Sequence, residues 1–312
     1  MTHPNIPVHA RLDHDAHLWD AAVTDEGHII TSDNTNHVSL WVEGELRWRT
    51  EVGWPKHVAV SGEWVVVGVR RGGPTGEDAI KLLDLQTGVL THTISLPTRA
   101  LEIMGTSADG RWAVTGATGM SGDRTPVVTD LEARAVIGKS LKASKKHWVQ
   151  GIDLSPTGAL LATASGGEIK ARLLKGRKAL MAMHGDNHVA CLDDERVLIW
   201  DARSSAGHQW RGLTLWQMGV SAPLWHREGP FAGHIVSLTR VGEHVVVATT
   251  KDNQGCITLI RGEDGAEQGV WSCPEPFKFP KVKASPGGAL ISMSAHQDTP
   301  AVITISLDRL LD

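Results

Sequence analysis

Short apolar runs rich in Val, Ile, Leu and Thr alternate with small polar turns along the whole chain, and none reaches the length of a helix. Val149-Gln-Gly-Ile-Asp-Leu154, Ala159-Leu-Leu-Ala-Thr-Ala164, Trp64-Val-Val-Val67 and His244-Val-Val-Val-Ala248 are clear examples. Runs this short, rich in β-formers and bounded by turn residues, predict strands. Seven turn signals each precede such a run: Asp25-Glu-Gly27, Ser61-Gly-Glu63, Ser107-Ala-Asp-Gly110, Ser155-Pro-Thr-Gly158, Asp193-Asp-Glu195, Val241-Gly-Glu243 and Ser285-Pro-Gly-Gly288. From Gly27 through Glu63, Gly110, Gly158, Glu195 and Glu243 to Gly288 the spacings are 36, 47, 48, 37, 48 and 45 residues. A four-stranded propeller blade takes roughly 40 to 45 residues, so these intervals predict seven blades and are too uneven for a tight solenoid.

Each interval repeats one plan. After the two strands that flank the turn comes a third, read in Val38-Ser-Leu-Trp41, Ala79-Ile-Lys-Leu-Leu83, Glu168-Ile-Lys-Ala-Arg-Leu173, Ile257-Thr-Leu-Ile260 and Ala301-Val-Ile-Thr-Ile305. Glu43-Gly-Glu45, Gln86-Thr-Gly88 and Lys175-Gly-Arg177 then supply the glycine that a tight hairpin to a fourth strand prefers. The last unit runs out after its third strand, at 301–307. The N-terminal Ile6-Pro-Val-His-Ala-Arg-Leu12 is therefore expected to complete that blade, with residues 1–12 closing a single domain of residues 1–312. Pro4 and Pro7 suit an outer edge strand, and closure removes an edge that would invite aggregation. Val65, Val67, Val114, Leu161, Val246 and Ile291 are expected in the core. Glu43, Glu132, Lys175 and Glu263 are expected in exposed turns.

Ser155-Pro-Thr-Gly-Ala-Leu-Leu-Ala-Thr-Ala-Ser165, Asp84-Leu-Gln-Thr-Gly88 and the dipeptide Gly233-His234 together resemble the WD40-repeat family, and the resemblance extends over essentially the whole chain. Trp200-Asp201 looks like the family dipeptide but ends a second strand, so it is read as coincidence. The resemblance implies an all-β, seven-bladed β-propeller of four-stranded antiparallel blades, closed by the N-terminal strand. It also implies a binding face made by the loops that lead into each innermost strand and the loops between second and third strands.

Composition narrows this without changing it. A hydrophobic fraction of 41% and a charged fraction of 21% are those of a globular chain. The net charge of -4 leaves no overall footprint for nucleic acid or an acidic membrane, so any basic site must be local. Three cysteines in no metal or CxxC spacing suggest reduced thiols and a cytoplasmic setting. Residues 1–10 do not read as a signal peptide, and no apolar stretch approaches the roughly 20 residues of a membrane span. Twelve Trp beside three Phe and no Tyr make Trp the large aromatic of the β-core.

The local basic residues fall where the family's binding face is expected. Glycine-rich loops between second and third strands carry Arg, as in Arg70-Arg-Gly-Gly-Pro-Thr-Gly-Glu-Asp78, Thr118-Gly-Met-Ser-Gly-Asp-Arg-Thr125 and Ala202-Arg-Ser-Ser-Ala-Gly-His208. The approach to the fourth blade, Lys139-Ser-Leu-Lys-Ala-Ser-Lys-Lys-His147, is the most basic stretch. The candidate partner-binding residues are Trp54, Arg70, Arg71, Arg99, Arg124, Lys145, Lys146, His147, Trp148 and Arg203. Arg suits bidentate contact with carboxylate, and exposed Trp beside Arg suits an interface anchor. Against this, Glu77, Asp78, Asp123 and Asp252 in the same loops offset charge, and Gly with polar residues also makes ordinary solvated turns.

Histidines recur near the start of the innermost strands, at His17, His57, His147, His188 and His234. Counted from the strand ends, only His147 and His234 share a register with Arg99, which favours channel lining over a metal ring. The cluster Asp13-His-Asp-Ala-His17 imposes no ligand geometry and reads as a polar connection. No nucleophile elbow, phosphate loop, dinucleotide fingerprint or zinc-protease helix is present. The leading expectation is thus a non-catalytic scaffold, free or within a larger assembly, that binds an acidic protein or peptide on its basic loop face, with no cofactor, metal or membrane partner. Two alternatives stay open: an enzyme acting on a small anionic substrate at the channel mouth, and nucleic-acid backbone binding through Lys139–His147.

Overall fold

In a computed structural model of the chain, the described residues are 4–96, 101, 103–116, 126–139, 149–165, 168–174, 181–184, 188–201, 204–205, 208–209, 212–228, 234–251, 254–274, 277, 280–295 and 300–311. They form seven four-stranded antiparallel sheets, the blades of a β-propeller. Six blades follow in chain order at 18–51, 54–95, 103–139, 149–184, 189–228 and 234–272. The seventh combines Lys281–Ala284, Leu290–Ala295 and Ala301–Ser306 with the N-terminal strand Ala10–Asp13. Among the described residues, the helix is a single turn, Asp308–Leu311.

The closing strand pairs as the sequence predicts, shifted slightly toward the C-terminal side. Ala10, Arg11, Leu12 and Asp13 face Thr304, Ile303, Val302 and Ala301. Residues before it do something the sequence did not show. Ser272 N–H donates to Pro4 O at 2.8 Å and Ile6 N–H donates to Ser272 O at 3.1 Å, so the segment also straps the outer strand of blade six. The Pro4 carbonyl needs no ring N–H, which is why a proline is tolerated there.

The chain packs as two compact units, one of Met1–Gly72, Ile80–Thr93 and Phe231–Asp312, the other of Gly73–Ala79 and Ile94–Pro230. In the first, buried clusters join blade one to two around Val58, Val65 and Val67, and blade six to seven around Val246, Ile291 and Phe277. A third cluster, Leu12, Leu18, Ile29 and Val302, joins seven to one. In the second, Trp112, Val114 and Leu161 join blade three to four, and Leu160, Ile169 and Val197 join four to five. All six predicted core residues are fully buried. Glu43, Glu132 and Glu263 are exposed, and Lys175 lies outside the described residues. Trp200-Asp201 ends a second strand, Arg196–Asp201, as read.

Three of the seven turn signals share one device. Ser107, Ser155 and Ser285 each accept, on Oγ, the backbone N–H five residues on, at 3.0, 2.9 and 3.3 Å. The glycine three residues on, with φ of 76°, 70° and 74°, donates back to the serine carbonyl. At Gly158 a side chain is excluded twice, because a Cβ would also stand 2.1 Å from Trp112 Cδ1.

In blade one the segment read as a polar connection is an anchor. Trp41 Nε1 donates to Thr31 Oγ1 at 3.0 Å, and that hydroxyl stands 3.4 Å from His14 Nε2. His14 Nδ1 lies 3.0 Å from Ala16 O, so donation runs Trp41, Thr31, His14, Ala16 when the imidazole proton is on Nδ1. Thr31→Val should cost about 1–3 kcal/mol by stranding the indole N–H, while Thr31→Ser costs less. Urea denaturation of the two variants checks this, and equal midpoints would contradict it.

Candidate functional site

Four first strands carry a bulge, opposite the end of their second strands, at Trp19, Lys56, Gln150 and Val236. Each bulged residue lies five positions before the turn residue Thr24, Ser61, Ser155 or Val241. A bulge adds one residue without a cross-strand partner and re-aims its side chain. In blades one and two this brings together residues from different sheets: Lys56 Nζ lies 3.4 Å from the centre of the Trp19 ring and 5.0 Å from that of Trp54.

Trp54 opens the first strand of blade two and sits directly across from Arg70, the last residue of the second. The Arg70 guanidinium carbon is 5.3 Å from the centre of the Trp54 ring, and His17 meets Trp19 edge-on at 5.2 Å. The result is a stripe of His17, Trp19, Lys56, Trp54 and Arg70. Trp54 is 40% exposed, unusual for so large an apolar side chain. Each cation–ring contact is worth about 0.5–1 kcal/mol where exposed, so the stripe is held in place before any partner arrives.

Arg71 follows, exposed, with φ of 51°. A non-glycine residue in the left-handed region is strained, and the strain falls on Arg71 itself. The loop beyond is expected to be flexible, but it is closed on itself. Gly73 N–H donates to Glu77 O at 2.9 Å, and the Glu77 carboxylate accepts from Thr75 Oγ1 and Ser95 Oγ, both at 2.6 Å. Those two hydroxyls, Ser95 first, bring the Glu77 pKa down to about 2. Asp78 is buried and accepts the Leu101 N–H at 3.2 Å. The loop's two carboxylates are thus taken up in holding the loop.

Trp54, Arg70 and Arg71 are therefore adjacent, at the edge where the first strand begins and the second ends. Arg99, Arg124, Lys145, Lys146, His147, Trp148 and Arg203 lie outside the described residues. Trp19 and Lys56 were not singled out in the sequence. Their signal is the bulge, which is visible only once the opposite strand is known.

Among the described residues no group of three or more His, Cys, Asp or Glu is arranged to hold a metal. His57 faces a carboxylate, with its Nδ1 3.6 Å from Asp20 Oδ2. Cys191, Cys256 and Cys273 are free and buried, and burial raises all three thiol pKa values, which leaves them poor nucleophiles. Among the described residues no helix is long and apolar enough to cross a membrane.

A chain in the crystal structure of a mitotic checkpoint complex is similar in fold, with a TM-score of 0.73 at 14% identity over 97% of this chain and 96% of that one. No family model and no curated protein matches the sequence. The likeness is one of fold, the WD40-like seven-bladed β-propeller.

Proposed function

We propose that this chain is a non-catalytic interaction scaffold that holds an acidic segment of a protein partner against Trp54, Arg70 and Arg71, with Lys56 and Trp19 completing the surface. The observation that carries this reading is the exposed Trp54 flanked by Arg70 and Lys56 at one loop edge. Aromatic and Arg side chains supply most of the energy in protein interfaces, and a carboxylate laid across Arg70 and Arg71 gains charge-assisted hydrogen bonds. The similar chain comes from a multiprotein complex, which fits a partner-binding role. Three buried, high-pKa thiols are the opposite of what nucleophilic catalysis needs.

Arg71 offers a test that separates binding from folding. Arg71→Gly relieves the left-handed strain and removes a cation, so the melting temperature should hold or rise slightly. Affinity for a glutamate-rich peptide carrying one aromatic residue should fall about tenfold, the loss of one charge-assisted contact. Calorimetric titration of both chains measures this, and unchanged affinity would contradict the reading.

A further inference from the structure

The first strand of a blade has no strand neighbour on its inner edge, so its outward N–H and C=O groups need other partners. Side chains of the preceding blade meet part of that need. Asp153 Oδ2 accepts Cys191 N–H at 2.8 Å, Ser237 Oγ accepts Val282 N–H at 3.4 Å, and Thr239 Oγ1 accepts Ala284 N–H at 3.3 Å. Asp20 does the same for Val58 N–H at 3.0 Å, but here a second residue joins. Lys283, from the first strand of blade seven, places Nζ against Asp20 Oδ2 and donates to Val58 O at 2.8 Å. Both polar groups of Val58 are thus satisfied by side chains of the two blades before it.

The geometry points to Asp20, Lys283 and Val58 as an inner clasp that locks the first strands of blades seven, one and two together and positions the bulged pair Trp19 and Lys56. Asp20 directly follows Trp19, and His57 directly follows Lys56, so the residues that pack inward fix the ones that turn outward. The clasp is separate from the strand closure of Ala10–Asp13, which acts at the outer edge of blade seven. It joins residues 263 positions apart in sequence. Only its consequence for Trp19 and Lys56 rests on the interaction reading.

The charged and titratable groups that face Asp20 are Lys283 and Lys281 from blade seven and His57 from blade two. Burial pushes its carboxyl pKa up, but Lys283, helped by His57 and Lys281, outweighs burial and holds it well below the usual carboxylate range. The folded-state pKa is thus lowered. The clasp's stabilisation is present above the unfolded carboxylate pKa of about 3.9 and is lost as pH falls below it.

The test uses the full chain as Asp20→Asn, Lys283→Met and the double variant, followed by native-state hydrogen exchange and thermal melting at pH 7. Each single change leaves a charge without its partner, so Val58 amide exchange should speed up about tenfold and the melting temperature should fall. The double variant, with both charges gone, should melt above the worse single variant. Unchanged Val58 exchange, or a double loss equal to the sum of the singles, overturns the clasp. If a variant fails to fold, the wild type still decides: its Asp20 carboxyl resonance should not titrate near pH 4, and titration there overturns the proposal. None of these readouts needs a partner, so they fail or succeed independently of the binding surface.

Discussion

Removing residues 1–13 is expected to abolish stable folding at 25 °C. The deletion takes away the fourth strand of blade seven and exposes the edge of Ala301–Ser306, whose Val302 and Ile303 are fully buried. It also removes Ile6 and Leu12, each 5% exposed, and the strap on Ser272. Two buried aliphatic side chains are worth about 1.5–3 kcal/mol each and each ladder bond about 0.5–1.5 kcal/mol. The total rivals the roughly 5–15 kcal/mol that holds a folded domain together. Scanning calorimetry with light scattering reads the outcome, because an exposed strand edge should aggregate. A deletion that melts like the full chain would show that the N-terminal strand only decorates blade seven.

Reversing both arginines, as Arg70→Glu/Arg71→Glu, is expected to weaken binding of the glutamate-rich probe by more than about 100-fold, since two attractive contacts become repulsive. Arg71 is exposed and half-buried Arg70 loses a ring contact worth about 0.5–1 kcal/mol, so far-UV circular dichroism should stay as in wild type and melting should fall only slightly. Wild-type affinity should also decline as salt is raised from 50 to 500 mM, numbers chosen to take the screening length from about 14 to about 4 Å. Equal binding by the reversed chain would remove Arg70 and Arg71 from the interface. A further drop from Trp54→Ala would mark that ring as the apolar anchor.

Much of the fold was legible because second and third strands are covered on both faces and therefore read as continuous apolar runs. Trp64–Arg70 is buried along its middle five residues, and Ile29–Asp33 throughout. The turns at Ser107, Ser155 and Ser285 were equally plain, since a Ser with a glycine three residues later encodes a specific hydrogen-bond pattern. Outer strands were harder. Glu45–Glu51, with a mostly exposed pattern and charges at Glu45, Arg47, Arg49 and Glu51, offers only Leu46 and Trp48 as apolar positions, too few to read as a buried strand. The same charges keep an edge strand from pairing with another molecule.

The candidate site was legible only in part. Trp54, Arg70 and Arg71 stood out because large aromatic and cationic residues beside glycines are conspicuous in a loop. Trp19 and Lys56 did not, because a bulge depends on how two strands pair and leaves no mark on either strand alone. The histidine registers show the same effect. His17 and His234 precede the bulge of their strands, at Trp19 and Val236, while His57 follows the bulge at Lys56. Counting along one strand cannot register that extra residue. Asp20 and Lys283 were invisible for another reason: their pairing spans nearly the whole chain and exists only once blade seven meets blade one.

The central claim, that an acidic protein partner docks on the tryptophan and arginine edge of blade two, is tested most directly by parallel affinity capture from the source cells. The wild-type chain and Arg70→Glu/Arg71→Glu serve as equal baits, with quantitative mass spectrometry of what each retains and hydrogen-exchange mapping of the wild-type complex. A partner with an acidic segment should be enriched on the wild type and lost from the variant, and binding should protect residues 54–57 and 69–71. The same proteins retained equally by both chains, or protection confined to the opposite turns at Gly44 and Gly88, would contradict the account.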